Sequence, residues 1–354
     1  MIQITGLSRL NDYALRNIIA NNKSNQGVNM LNRRYATGLI TAIALLGGTV
    51  AAHAQSYPAK PIRWVVPYPA GGGSDFLART IGQQLSQQIS QPVTVDNKPG
   101  GNTAIAASEV ARSAADGYTI LSADNGTMVF NTALYSKLTY NPEKDLTPVT
   151  LMGRFPMILV VGPNSDVKDA KDFVAKAKAA PGKISYGSAG AGSPHHLAME
   201  LLKVQGGLHM VHIPYRGAAP ALTDLAGGQV AAMMVDLAAG AGFIKGGKVR
   251  PLAVANPTRL PQLPDVPTFA ELGIKGVEAS AQVGIVAPAN TPADTVAALQ
   301  KQVATAIQQP AIRQKLIDFG IEPVGSTPQQ YAELIRTEVQ RWHQLIREQK
   351  ISLD

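Results

Sequence analysis

The chain has 354 residues, 45% of them hydrophobic and 16% charged, with a formal net charge of +8 and no cysteine. That length holds two domains of ordinary size. Lack of cysteine excludes disulfides and cysteine nucleophiles. No basic cluster remains downstream of residue 54 that would read as a nucleic-acid surface, so no nucleic-acid partner is expected.

Residues 1–54 read differently from the rest. Asn32-Arg33-Arg34 precedes an uncharged apolar run from Tyr35 to Val50, and Ala52-His53-Ala54 follows as a small-x-small pattern. A positive region, an apolar region and a cleavage site in that order predict an export signal cut after Ala54. The run is shorter than the roughly 20 residues of a membrane span, and it is rich in Ala, Gly and Thr. Residues 1–29 are polar and lie upstream of this signal, which makes Met30 the expected translation start. Five of the 32 basic residues and one of the 24 acidic ones fall in residues 1–54, so the processed chain carries +4.

From residue 57 onward, strand-like and helix-like segments alternate, which argues an α/β architecture. Trp64-Val65-Val66 is a β-branched, apolar strand ended by Pro67, and a turn through Gly71-Gly72-Gly73 leads to a helix opening at Ser74-Asp75. Strand, glycine turn and helix N-terminus make an anion site, with free backbone N–H groups and a favourable dipole. Leu77, Ile81 and Leu85 mark the buried face of that helix. Val93-Thr94-Val95 reads as a strand, Thr103 to Ala114 as a helix and Tyr118 to Leu121 as a strand. Two segments look like crossings between domains: Pro148 to Val161, read as two strands broken around Arg154-Phe155-Pro156, and Ala281 to Pro288. Only helices are expected after them, two of them capped by Thr291-Pro292 and Thr327-Pro328. Residues 55–154 and 283–354 would then form one domain, and residues 155–282 the other.

A second strand–turn–helix, Ile184 to Leu197, repeats the logic of the first in the inner domain, with Gly190, Gly192 and Ser193-Pro194 at the helix start. Two such helix N-termini facing each other across a cleft form a two-jawed site for a small carboxylate.

YPAKPIRWVVPYPAGGGSDFLAR, DGYTIL, DLTPVTLM, KISYGSAGAGSPHHLAMELL, MVHIPYRGAAPALTDLAGGQV, LPDVPTFAELG and IEPVGSTPQQYAELIR follow one another along residues 57–350. In these motifs the chain resembles the Bug or tripartite tricarboxylate transporter solute receptors, which are periplasmic binding proteins. The resemblance implies a type II periplasmic binding protein fold: α/β, two discontinuous domains, a ligand cleft and two crossing strands. It implies a periplasmic location and a monomer. The expected partners are a small carboxylated ligand and the membrane permease of a tripartite tricarboxylate transporter; alternatively the chain is a periplasmic ligand sensor that signals to a membrane partner through a periplasmic sensor domain. No enzyme activity, cofactor or metal is implied. Carried over residue by residue, it assigns the ligand to Tyr68, Ala70, Gly71, Gly72, Ser74 and Asp75 of the first loop and to Asn125 and Thr127 after the third strand. The second loop adds Ser188, Ala189, Gly190, Ser193 and His195, and Tyr215, Arg216 and Asp236 complete the wall. Two places depart from the family pattern: Met234-Val235-Asp236-Leu237-Ala238, and Asn102-Thr103 where a glycine pair is usual.

Catalytic patterns fit poorly. GGGSD lacks the Gly-Lys-Ser/Thr of a phosphate-binding loop, and it is not the GxSxG of a hydrolase elbow. Ser188 or Ser193 with His195 or His196 leaves a Ser-dependent hydrolase as an alternative, but nothing in the spacing supplies a third, orienting group. Asp75 and Arg79 stand four apart, as an ion pair on one helix face would.

Overall fold

The computed structural model describes residues 57–354; the expected export signal, its cleavage after Ala54 and the start at Met30 lie outside the described residues. The first stretch runs β1 (Ile62–Val66), α1 (Gly73–Ile89), β2 (Val93–Asn97), α2 (Ala104–Ala111), β3 (Thr119–Asp124), the short helices α3 (Asn131–Leu134) and α4 (Pro142–Asp145), and β4 (Leu146–Val161). Next come α5 (Ala170–Ala179), β5 (Ser185–Ser188), α6 (Pro194–Gly206), β6 (Val211–Pro214), α7 (Ala218–Ala226), β7 (Ala232–Asp236), α8 (Leu237–Lys245) and β8 (Arg250–Val254). The chain finishes with β9 (Ser280–Pro288), α9 (Ala293–Gln308), α10 (Pro310–Asp318), β10 (Glu322–Pro323) and α11 (Pro328–Glu348).

The strands line up in the order β2-β1-β3-β9-β4-β7-β5-β6. β4 pairs antiparallel with β9 from Leu146 to Pro156, then with β7 from Met157 to Val161. β3 also runs against β9, so it heads the same way as β4, whereas β7 runs against β4. Asp124, the last residue of β3, stands opposite Val283, which itself faces Gly153. Asp236, the last residue of β7, stands opposite Met157. Strands arriving from two directions thus stop beside residues 153–157. Because β1 is parallel to β3 and β5 is parallel to β7, the loops that follow all four strands open at this junction.

Both faces of this mixed sheet are covered by helices, as the parallel strands at its two ends require. Trp64 and Val66 of β1 pack under Leu77, Ile81 and Leu85 of α1 and Val296, Leu299 and Val303 of α9. Val65 and Leu121 turn the other way, toward Val110 of α2 and Trp342 and Ile346 of α11. Past the junction the alternation continues: Ile158 and Val160 meet Leu222 and Leu225 of α7, while Leu159 and Val161 share a core with Leu197 and Leu201 of α6. Each such side chain, fully buried, contributes about 1.5–3 kcal/mol.

Four local expectations need correction. β4 is one continuous strand, not two broken at Pro156: β9 and β10 pair with it up to Pro156 and Arg154, and β7 and β8 from Met157 and Ile158, so the proline stands between ladders. β10 pairs with Arg154 and Gly153, so the last segment is not purely helical. Thr291 does not cap α9, because its hydroxyl donates to the Pro288 carbonyl at 2.7 Å. The helix expected from Thr103 begins at Ala104, after a 3-10 turn in which Asn102 (φ 45°) and Thr103 (φ 76°) are both left-handed. Thr327, by contrast, forms a full capping box with Gln330.

A Cβ on Gly284, in the middle of β9, would lie 2.4 Å from the Tyr331 ring and 2.6 Å from the Thr150 carbonyl. A Cβ on the exposed Gly242 of α8 would meet nothing within 4 Å. In urea denaturation, G284A is expected to lose about 2–3 kcal/mol by overpacking against backbone. G242A is expected to be neutral or to gain up to ~1 kcal/mol from helix propensity. Equal effects would contradict this account of the β9 contact.

Candidate functional site

The first loop is built around Asp75. Its carboxylate accepts the Gly71 N–H at 2.9 Å, the Arg79 Nε at 3.0 Å and the Asn97 Nδ2 at 2.9 Å. Burial alone would raise the Asp75 pKa, but Arg79, the Gly71 amide and Asn97 hold it below the usual carboxylate range. Asp75 therefore folds the loop back on itself, and the expected Asp75–Arg79 pair is present. Gly71 takes φ 87°, a left-handed turn that glycine adopts freely. In α1 the first backbone N–H bonded back into the helix is that of Phe76, to the Gly72 carbonyl. The N–H groups of the preceding turn have no partner within the helix, and Ala70 and Gly72 beside them are exposed.

The loop after β3 is held from inside. Asp124 accepts the Tyr68 hydroxyl, the Thr127 N–H at 2.9 Å and the Thr127 hydroxyl at 3.0 Å. Burial and the neighbouring Asp124 carboxylate push the Tyr68 phenol well above its ordinary pKa, so it remains a donor. Asn125 Oδ1 accepts the Gln282 N–H at 2.5 Å. The Thr127 hydroxyl also reaches Thr103 at 2.9 Å, and Asn131 Nδ2 donates to the Asn102 carbonyl at 2.7 Å. Those bonds offset the strain of a β-branched residue at positive φ.

The second loop turns its hydroxyls inward. Ser193 caps α6 by accepting the His196 N–H at 3.3 Å, and it donates to the Gly190 carbonyl at 2.7 Å. Ser188 bonds His212 Nε2 at 2.7 Å and accepts the Gly190 N–H at 3.1 Å. The Gly192 N–H reaches His196 Nδ1 at 3.1 Å. Beneath the loop His196 and His212 stack with centroids 3.8 Å apart, and Tyr186 stacks on His212 at 4.9 Å. Burial raises the Tyr186 phenol, which bonds Glu200. Burial would raise Glu200 as well, yet His196, Lys203 and Tyr186 bring it to about 2.

The remaining wall divides. Tyr215 donates its hydroxyl to Asp224 at 2.7 Å and its N–H to the Ser188 carbonyl, so it braces the loop. Arg216 is exposed, without a hydrogen bond or ion pair to another described residue. Asp236 caps α8 by accepting the Ala239 N–H at 3.0 Å, and it accepts His195 Nε2 at 2.8 Å. Burial would raise the Asp236 pKa, but His195 and the Ala239 amide keep it low and ionised. Ala189 and Gly190 sit partly exposed between these braces.

The loops touch. A Cβ on Gly73 would lie 2.9 Å from the Phe155 ring and 3.6 Å from the Ala238 Cβ, and one on Gly192 would lie 3.3 Å from Asn102 Nδ2. Among the described residues, three buried side-chain polar atoms lack a hydrogen-bond partner: Ser74 Oγ, Asn125 Nδ2 and His195 Nδ1. They come from three of the loops at the junction. Two surface cavities, of about 500 and 700 Å³, lie elsewhere and contain none of the expected site residues. Sequence reasoning missed Asn97, Phe155, Gln282 and the Tyr186–His212–His196 stack. Several of them lie inside quoted motifs, but their contacts are made between segments distant in sequence.

The family model described as "Tripartite tricarboxylate transporter family receptor" matches residues 77–351. The chain belongs to this receptor family. The Bordetella pertussis protein BugT is 34% identical over 322 residues, 91% of this chain and 98% of that protein. The structure of R. palustris Rpa4515 with adipate matches with TM-score 0.78 and 35% identity, covering 84% of this chain and all of that one. MatC from Rhodopseudomonas palustris with bound malate gives TM-score 0.73 and 32% identity, over 82% of this chain and all of that one. The family and fold are those of solute-binding receptors, not enzymes. Among the described residues no helix is long and apolar enough to cross a membrane.

The braces under the second loop give this receptor an acid sensitivity. Burial first, and then the neighbouring His196, lower His212 from its ordinary 6.5 to about 3. Between those values the unfolded chain binds a proton on His212 and the folded one does not, so stability rises with pH there. Glu200, depressed from 4.5 to about 2, adds stability that is lost as pH falls through that lower window. Urea midpoints measured from pH 3 to 7 are expected to climb, and H212Q is expected to flatten the climb above pH 4.5. An unchanged slope in H212Q would refute His212 as its source.

Proposed function

We propose that the receptor captures a small carboxylated solute in the periplasm and delivers it to the membrane permease of a tripartite tricarboxylate-type transporter. The observation that carries this reading is the set of unpartnered buried atoms, Ser74 Oγ, Asn125 Nδ2 and His195 Nδ1. Buried polar side chains are normally satisfied, so an orphaned group calls for an explanation such as a ligand or an ordered water. Ser74 and His195 lie in the first turns of the helices after β1 and β5, and Asn125 directly follows β3, so all three stand at strand C-terminal ends, where α/β folds bind ligands. The first-turn N–H groups of α1, unpaired within the helix, add donors suited to a carboxylate. The relatives solved with adipate and with malate support the same ligand class.

In this reading residues 55–154 with 283–354 form one lobe and residues 155–282 the other. The ligand first rests on the Ala70–Ser74 loop and the second loop then closes over it. Ligand favours the closed state by its greater affinity for it. Export after Ala54 and action as a monomer complete the proposal.

A panel of C3–C8 carboxylic acids in a thermal-shift assay tests it, since a bound ligand raises the melting temperature by mass action. At least one acid should raise it, and S74A should weaken that acid about fivefold, the worth of one neutral hydrogen bond. A Cβ on Gly72 meets only the Pro69 carbonyl, at 3.7 Å, so the protein itself has room for a side chain there. G72V should therefore fold normally and block ligand approach. A panel in which no acid shifts the transition would refute the carboxylate class.

A further inference from the structure

His195 and Asp236 are 41 positions apart in sequence, on different strand–helix turns, yet they form a closed pair. Both side chains are nearly buried, at 11% and 13% exposure. The Asp236 carboxylate can only accept here: one oxygen takes the Ala239 N–H and the other faces His195 Nε2. The proton of a neutral His195 ring therefore sits on Nε2, and Nδ1 is left as a bare lone pair. That same Nδ1 is one of the three orphaned atoms, and the other two differ from it in kind. Asn125 Nδ2 can only donate, and its amide orientation is fixed because Oδ1 already accepts from Gln282. The Ser74 hydroxyl can do either.

Packing and ladder contacts bring the three together. Gln282, which holds Asn125, pairs with Arg154 in the β4–β9 ladder, next to Phe155. The Phe155 ring lies against Gly73, the neighbour of Ser74, and Gly73 also meets Ala238, two residues beyond Asp236. The set thus combines donors and one acceptor around a single junction. A plain carboxylate offers acceptors only, so it satisfies Asn125 Nδ2 and Ser74 but leaves Nδ1 of a neutral His195 ring unpaired. An ammonium group on the ligand would bring a charge to a junction whose acids, Asp75, Asp124 and Asp236, are each already bonded through both oxygens.

We propose that His195, oriented by Asp236, is a specificity-determining residue that accepts a hydrogen bond from a ligand hydroxyl, so that the receptor selects hydroxy acids over their deoxy counterparts. This rests on the carboxylate-receptor reading and narrows it. Sites built to hydrogen-bond a ligand hydroxyl reject analogues lacking it, because a buried polar group is then left unpaired.

Matched pairs test it by calorimetry on the intact processed chain: succinate against malate, glutarate against 2-hydroxyglutarate, butyrate against 3-hydroxybutyrate, with aspartate as the amino analogue of malate. At least one hydroxy acid should bind about tenfold or more tighter than its deoxy twin, the scale of one satisfied buried acceptor. H195F removes the acceptor, and H195F/D236S also removes the carboxylate it would strand while keeping a helix cap on α8. Both should reduce the discrimination to under about threefold while the deoxy acid keeps its affinity within that range. In the wild-type chain, the ¹⁵N resonance of His195 Nδ1 should be that of an unprotonated nitrogen and should move on adding the hydroxy acid but not its twin. Equal affinities for the twins, a protonated Nδ1, preference for aspartate over malate, or discrimination that survives H195F would each overturn this inference and leave the carboxylate reading intact. If no acid of either kind binds, the carboxylate reading itself fails.

Discussion

The partner exchange in β4 is the constraint on which the rest of the molecule depends. One strand supplies a ladder to β9 up to Pro156 and to β7 from Met157, so both halves of the sheet are registered against a single backbone. A proline in mid-strand would ordinarily forfeit a bond, but here it stands where one ladder ends and the other begins. The next N–H, that of Met157, goes to the Ala279 carbonyl, which leads into β9. With that register set, Asp124 and Asp236 must end their strands a few residues apart along β4. Every loop that could touch a ligand is delivered to the same place by hydrogen bonding that involves none of those loops.

This explains what could and could not be read from the sequence. Trp64 to Arg79 and Ile184 to Leu197 announce themselves, because glycine, proline and serine punctuate a local strand-to-helix change. The amphipathic faces of α1, α9 and α11 are equally legible, since residues three and four apart must share a side. What is lost is contact set by register. Gln282 reaches Asn125 across 157 positions, and the Asn97 amide holds Asp75 across 22. β4 was misread for the same reason: Pro156 looks like a break to any local rule, and only the exchange of neighbours makes it harmless. Asn102 and Thr103 carry a different lesson. Their left-handed backbone would suit glycine, and the bonds to Asn131 and Thr127 that offset it come from a separate segment.

The two loops that look alike in sequence differ in how they are stiffened. The first is tied by a charge: Asp75 gathers an amide, a guanidinium and a side-chain amide on one carboxylate. The second is tied by hydroxyl and imidazole groups, with Ser188, His212 and His196 relaying bonds to Gly190 and Gly192 above a buried aromatic stack. In both, the polar side chains that a motif search would assign to ligand are largely spent on holding backbone. Ser188 and Ser193 are occupied, as are Thr127 and Tyr215.

Recognition then has to come from what those braces leave over. Backbone N–H groups at a helix start are blind to everything but negative charge, so they give this receptor a class of ligand and no more. Discrimination within the class needs side chains whose hydrogen-bonding atoms are buried, fixed in direction and not already paired. Among the described residues only Ser74, Asn125 and His195 have buried polar side-chain atoms left unpaired, and of these Asn125 and His195 are also fixed in direction. Asn125 is fixed by β9 and His195 by the end of β7, so two of the three are aimed by the same register that brings the loops together. A substitution that shifts the β4 ladder by one residue would leave both glycine loops chemically intact. It would still misdirect the Asn125 amide and the His195 ring, separating the capacity to attract an anion from the capacity to choose one.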